Sequence, residues 1–284
     1  VRFNRGLSLV VLLLTSLVPS LVTAQQNVSP NLATSVPSQF YVDRYAPATF
    51  GLVNGFQGRN NVLQMSTDQN QDLLNRAPGF QSTFYNTVGM KKDVNTAGSW
   101  LFQSDIFVDA SWSNSSNGLV RSDIWATATD DAGFANPSAY PIVGVTNYLG
   151  ALRFRGYDVN TGNWLDFGNA VNLNSWNTLG MGFDLITNTF SYYVNGSLAA
   201  SIVGGNTSTG VANIMYQMYN YNDGSLPGVP LNLGNPSQPG YSVNWSMTST
   251  TVPEPSTYAL LAAGLSVLFF AYRRRLHTMA SVVQ

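Results

Sequence analysis

Residues 25–247 are predicted to fold as an all-β, two-sheet sandwich. Turn-forming residues recur every ~8–12 positions, the spacing of consecutive strands in such a fold. Several runs alternate apolar and polar residues with a period of two, which turns one face of each strand toward a core. The 228 residues from Gln25 to Val252 hold twenty-eight Asn but no Glu and two Lys. Lys and Glu normally fill the surfaces of helices, whereas Asn-rich composition suits many strands joined by many turns.

The chain opens with the grammar of an export signal. Arg2 and Arg5 precede the apolar stretch Leu7 to Val18, and Val22-Thr23-Ala24 offers small residues for cleavage between Ala24 and Gln25. Residues 1–24 are therefore expected to be a signal peptide cut by signal peptidase. An uncleaved anchor is the alternative, but the apolar core is short for a membrane span.

Within the sandwich, strands are expected at Trp100 to Val108, Leu119 to Thr129, Pro141 to Asn147, Ile214 to Tyr221 and Tyr241 to Met247. Leu179, Met181, Phe183 and Leu185 alternate with polar or small residues and predict one buried face. Phe190, Tyr192 and Val194 follow, Asn195-Gly196 supplies a type I′ turn, and Leu198, Ala200 and Ile202 return as a hairpin. A second hairpin places Leu152, Phe154 and Gly156 inward and Arg153 and Arg155 outward, turns at residues 160–163, and continues through Trp164 and Phe167. The best helical candidate is short, Gln69 to Arg76.

Residues 248–256 form a linker containing Val252-Pro253-Glu254-Pro255-Ser256, whose prolines stop any ordered strand. Residues 257–272 read as a membrane helix, sixteen residues reaching ~24 Å, with Tyr258 and Tyr272 at the two interfaces. Arg273, Arg274 and Arg275 hold the tail, residues 273–284, in the cytoplasm, so the folded part belongs on the far side of the inner membrane.

Composition excludes several chemistries. The exported part carries thirteen Asp, six Arg and two Lys, a net charge of −5, which is no footprint for nucleic acid. Cysteine is absent, the single histidine is His277 in the tail, and the single glutamate is Glu254. Serine triads, papain-like dyads and zinc hydrolases therefore have no usual residues here, and a non-enzymatic role is expected. Asp105 and Asp109 share a strand face but lie ~13 Å apart along it. Glycosidase carboxylates stand about 5–9.5 Å apart, so both are read as solvated surface groups.

No cofactor is expected. Asp130, Asp131 and Asn136 are candidate calcium oxygens, but calcium takes six or more, and an acidic turn without metal is favoured. Tyr216, Tyr219 and Tyr221 run toward Asn222-Asp223-Gly224. Aromatic faces stack on sugar rings while Asn and Asp bond hydroxyls, which makes Tyr219, Tyr221, Asn222 and Asp223 candidate ligand contacts. Sheet packing is the competing reading for these tyrosines, and for Tyr192 and Tyr193.

The order Pro253-Glu254-Pro255, short span and arginine cluster resembles the PEP-CTERM sorting tail. That resemblance implies recognition by an exosortase, a membrane-embedded cysteine transpeptidase-like protease, in a Gram-negative host that secretes exopolysaccharide. His277 to Gln284 extend past the arginines, where such tails usually end sooner. Trp176 to Asp184 and Tyr192 to Gly196 resemble laminin-G-like and concanavalin A-like lectin/glucanase sandwiches. This implies a jelly roll with early edge strands at Phe56-Gln57-Gly58, Asn61-Val62-Leu63 and Phe84-Tyr85-Asn86, and a face or end loops that bind glycans, sometimes with calcium. The glucanase branch uses paired glutamates, which this domain lacks.

Together these readings predict an exported protein held transiently at the inner membrane and then at the cell surface or in the extracellular matrix. Its expected role is glycan or exopolysaccharide binding. The alternatives are a purely structural matrix or adhesion protein and a polysaccharide-active enzyme. Replacing Glu254 by Ala, or the three arginines by Ser, is expected to leave the C-terminus uncut, read as retained membrane association and unchanged mobility on gels.

Overall fold

The computed structural model describes residues 25–32, 37–44, 46–67, 87–219 and 240–246, together with Ser266. One compact unit spans Gln25–Val252. The expected signal peptide, the sorting motif, the arginine cluster and, Ser266 apart, the membrane helix lie outside the described residues. So do the short helix Gln69 to Arg76, the segment Phe84 to Asn86, and Tyr221, Asn222 and Asp223.

In chain order the strands begin with β1 (Gln26–Asn27), β2 (Tyr41–Val42), β3 (Thr49–Val53) and β4 (Val62–Ser66). Next come β5 (Thr87–Ala97), β6 (Trp100–Val108), β7 (Arg121–Thr129) and β8 (Pro137–Ala139). They continue with β9 (Ile142–Thr146), β10 (Arg153–Tyr157), β11 (Trp164–Asp166) and β12 (Ser175–Asp184). The last four are β13 (Thr189–Val194), β14 (Ser197–Val203), β15 (Gly210–Tyr219) and β16 (Ser242–Ser246). The first sheet runs β14-β13-β12-β6-β16-β4-β3, with β1 added in parallel to β6. The second runs β11-β10-β9-β7-β15-β5-β2, with β8 added to β7. The result is the two-sheet, jelly-roll-like sandwich that the alternation predicts.

Aromatic side chains from the two inner faces fill the core. Phe102 and Trp245 of the first sheet meet Tyr216 of the second at ring separations of 5.8 and 5.2 Å. Tyr216 donates its hydroxyl to Ser104 Oγ at 3.0 Å, and Ser104 donates onward to the Ser246 carbonyl at 2.8 Å. Tyr192 donates to the Tyr157 carbonyl at 2.5 Å and so ties β13 to β10 across the sandwich. A buried hydroxyl without a partner would cost about 1–3 kcal/mol, so these bonds make aromatic bulk with a polar tip compatible with a core.

The hairpin at Asn195-Gly196 closes as expected, with φ of +50° and +78° at the two turn residues. Its register differs from simple alternation. Tyr192 pairs with Ala200 and Tyr193 with Leu198, so Ala199 is an extra residue on β14. That bulge turns Leu198 outward, where it is 59% exposed rather than buried. Leu185 is also exposed, because β12 ends at Asp184 and the chain turns there.

Two further expectations change. Phe56 and Arg59 form an isolated bridge closing a turn, so Phe56-Gln57-Gly58 is a loop and not an edge strand. The longest strand, β5, is not evident in the alternation. Lys92 occupies a position where an apolar residue would be expected, and its ammonium bonds Gln39 Oε1 at 2.7 Å.

Burial pushes Tyr192 and Tyr216 above the usual tyrosine range. A raised acid contributes stability that is full below its ordinary value of about 10 and is lost as pH rises above it. Urea midpoints are therefore expected to stay level from pH 7 to about 9 and to fall above about 10. Tyr216→Phe should flatten that fall, at some cost in midpoint.

Candidate functional site

Strand β7 is buried at all nine positions. An antiparallel strand usually leaves one face to water, so something stands on the outer face of the second sheet. Ser122, Ile124, Ala126 and Ala128 point inward, and Arg121, Asp123, Trp125 and Thr127 must face out.

The register aligns those outward positions in rows. One row runs from Gly89 through Gln217, Asp123, Gly144 and Arg155 to Asp166. The row beside it includes Met215, Trp125 and Ile142, and Tyr157 with Trp164 continues the line on the next pair of strands. On the other side lie Tyr219, Arg121, Thr146 and Arg153. Glycines at two points of the middle row let neighbouring side chains lie flat. A Cβ on Gly144 would come within 2.0 Å of Asp123 Oδ1 and 2.4 Å of the Ser122 carbonyl.

Above that floor is a groove of about 580 Å³. Trp164 reaches in from β11, with the Arg155 guanidinium 3.8 Å and the Arg121 guanidinium 4.6 Å from its ring centre. Arg121 also lies 4.9 Å from the Tyr219 ring. Tyr157 meets Trp164 edge-on at 5.2 Å, and Tyr140 meets Trp125 edge-on at 5.9 Å. Guanidinium is weakly hydrated and planar, so such stacks bury its charge at about 0.5–2 kcal/mol of attraction each.

Two of the arginines are paired with carboxylates. Arg121 Nε lies 2.6 Å from Asp123 Oδ2, and Arg153 Nε lies 2.8 Å from Asp166 Oδ2. Arg153 also donates to the Tyr148 and Ala151 carbonyls at 3.1 and 3.0 Å. Among the described residues, Asp123 Oδ1 and Gln217 Oε1 are buried acceptors with no donor, on side chains that face each other across β7 and β15. Exposed Tyr140 and Leu149, the latter 83% accessible, line the groove as well.

Of the ligand contacts expected from sequence, Tyr219 lines this groove, buried beneath Arg121. Tyr216 faces the opposite way, into the core. The sequence alone does not mark Trp125, Trp164, Tyr157, Arg121, Arg153, Arg155 and Asp166 as contacts. Their legible signal was the outward Arg153 and Arg155 facing Trp164 across one hairpin. The expected outward position of Arg155 is observed, but Trp164 covers it to 6% exposure.

Asp105 is not a solvated surface group. It is 2% exposed, paired with Arg59 at 2.5 Å and receiving the Thr178 hydroxyl at 2.7 Å. The Phe56–Arg59 turn covers it, with Arg59 4.3 Å from the Trp176 ring centre and Phe56 edge-on to Phe107 and Trp176. Asp109 instead caps the short helical turn Ala110–Ser113 by accepting the Ser111 amide at 2.7 Å. Asp131 accepts amides of Ala135 and Asn136 at 3.0 and 3.1 Å. Those bonds, the Asn136 amide foremost, hold its carboxyl below the usual range. Among the described residues no group of three His, Cys, Asp or Glu side chains is placed to hold a metal.

Residues 251–275 match the PEP-CTERM protein-sorting motif, which implies exosortase processing and export to the cell surface. No curated protein matches the sequence. The structural neighbours include jelly-roll glycoside hydrolases and carbohydrate-binding modules. One is a glycoside hydrolase family 16 endo-glucanase from Bacteroides ovatus, 10% identical over 76% of this chain and 95% of that one, with a TM-score of 0.45. Another is a carbohydrate binding module from Bacillus subtilis, 9% identical over 69% of this chain and 95% of that one, with a TM-score of 0.36. A sialidase aligns over 76% of this chain at 9% identity and a TM-score of 0.44, and this chain spans 17% of its length.

Gly144→Ala is expected to destabilise the protein by about 1–3 kcal/mol, because its methyl group meets backbone as well as Asp123. Denaturant titration would measure the loss.

Proposed function

We propose that this exported protein binds a glycan in the groove on its second sheet and does so without altering it. The observation that carries the reading is the outer face itself. A sandwich needs no aromatic side chains there, yet Trp125, Tyr157, Trp164 and Tyr219 stand on one sheet face with three arginines between them. Rigid aromatic surfaces stack against pyranose rings, and fixed polar groups bond hydroxyls, which is how orientation is set in open sugar sites. After export the protein stays at the cell surface or in the matrix, held to its polysaccharide.

The groups present favour binding without turnover. Residues 25–252 contain neither histidine nor glutamate, and one aspartate, Asp166, lines the groove. Its carboxylate is paired with the Arg153 guanidinium, and no second carboxylate lines the groove to share acid and base roles.

A purely structural matrix role has one supporting feature, the edge strand β14. Leu198 and Val203 are exposed on it, as on strands that pair with other chains.

On a glycan array the full chain, purified in nonionic detergent, is expected to retain a defined set of polysaccharides. Trp164→Ala should weaken retention about tenfold or more, ~1.4 kcal/mol. Incubation should release no reducing ends or unsaturated products. An array with no retained glycan would sink the reading in favour of the structural one, and product release abolished by Asp166→Asn would replace it with an enzyme.

A further inference from the structure

The groove carries a charge opposite to that of the domain around it. Residues 25–252 have a net charge of −5 and six arginines, yet three of those arginines, Arg121, Arg153 and Arg155, line this one groove. A fourth, Arg44, lies 5.1 Å from the centre of the Trp125 ring and is itself paired with Asp43. Among the lining residues the only carboxylate is Asp166. Neutral sugars need no such concentration of cations, and hydroxyls are bonded as well by amides at far lower desolvation cost.

The two ion pairs of the groove differ in kind. Asp123 is fully enclosed under Arg121, with its side chain 1% exposed, and is part of the floor. Asp166 sits on the short terminal strand β11 with its side chain 55% exposed, and its partner Arg153 is 21% exposed. An ion pair so open to water contributes little to stability. Arg153 is nevertheless held in place without it, because the Tyr148 and Ala151 carbonyls accept its two terminal nitrogens. Asp166 also faces Arg155 in the strand register. It thus occupies the place beside two fixed guanidiniums that a ligand carboxylate would take.

We propose that the groove selects an acidic polysaccharide, one bearing uronate carboxylates, and that Asp166 is a resident counter-ion which the glycan carboxylate displaces from Arg153. The inference rests on the glycan reading above and names the chemistry of its ligand. Trp164 supplies the stacking surface beside the anion, and the displaced Asp166 side chain turns to water. The negative surround confines attraction to the groove, so the protein recognises acidic glycan without adhering to polyanions in general.

The test uses the full chain in nonionic detergent, with polygalacturonate, alginate and hyaluronan as probes, each beside its carboxyl-reduced form. Polyglutamate serves as a polyanion without sugar. At least one native polymer is expected to bind, with its reduced form at least tenfold weaker and polyglutamate not bound. Arg153→Gln should weaken binding severalfold, whereas Asp166→Asn, which removes a carboxylate from the site, should strengthen it. Circular dichroism checks that both variants keep the strand spectrum. Equal binding of native and reduced polymers, or weaker binding by Asp166→Asn, overturns the acidic inference and leaves the glycan reading intact. So does a protein that retains only neutral array glycans. Polyglutamate bound as tightly as the polymers overturns it in favour of a simple charge patch. Loss of all glycan binding removes both readings together.

Discussion

The outer face of the second sheet depends on one indole. Trp164 projects from the terminal strand β11 and lies against the guanidiniums of Arg155 and Arg121, which belong to β10 and β7. That ring covers Arg155 above the glycine-lined floor and stacks on Arg121 beside its Asp123 pair. Stacking suits arginine because its delocalised charge sheds water from the faces while the edges still donate. An edge strand of three residues thereby fixes the groove that five other strands only outline.

The first sheet solves a similar problem differently. There Arg59 stacks on Trp176 and pairs with the buried Asp105, just as Arg121 stacks on Trp164 and pairs with the buried Asp123. The Phe56–Arg59 turn closes over the first cluster and seals it with Phe56 and Phe107. On the second sheet Tyr140 and Leu149 remain exposed and the cluster stays open. One combination of residue types therefore acts as a clasp where a loop covers it and as a concave site where none of the described segments does.

Export and chemistry also fit together. The chain has no cysteine and so no thiol to oxidise, and residues 25–252 have no histidine and so no imidazole titrating near neutrality. The sandwich holds by aromatic packing and by hydroxyl bonds such as those of Tyr192 and Tyr216, which remain protonated well above neutral pH.

Much of the fold is written in local periodicity. The two-residue alternation around Phe183 and Phe190, and the positive-φ preference of Asn195-Gly196, act over a few residues and survive translation into structure almost unchanged. Where side chains had to be assigned to water or burial, short range was insufficient. Leu198 turns outward because of a one-residue bulge opposite Tyr192 and Tyr193, and Lys92 hides β5 because Gln39, fifty-three residues away, accepts a hydrogen bond from its ammonium. Asp105 reads as a surface carboxylate until Arg59 arrives from a turn forty-six residues earlier. The sequence by itself determined the sandwich, the sorting tail and the absence of histidine and thiol chemistry, since these follow from composition and nearest neighbours. Only the tertiary structure decided the groove, because Arg121, Arg155, Trp164 and Tyr219 come from four strands and meet only when the register of the second sheet places them in adjoining rows.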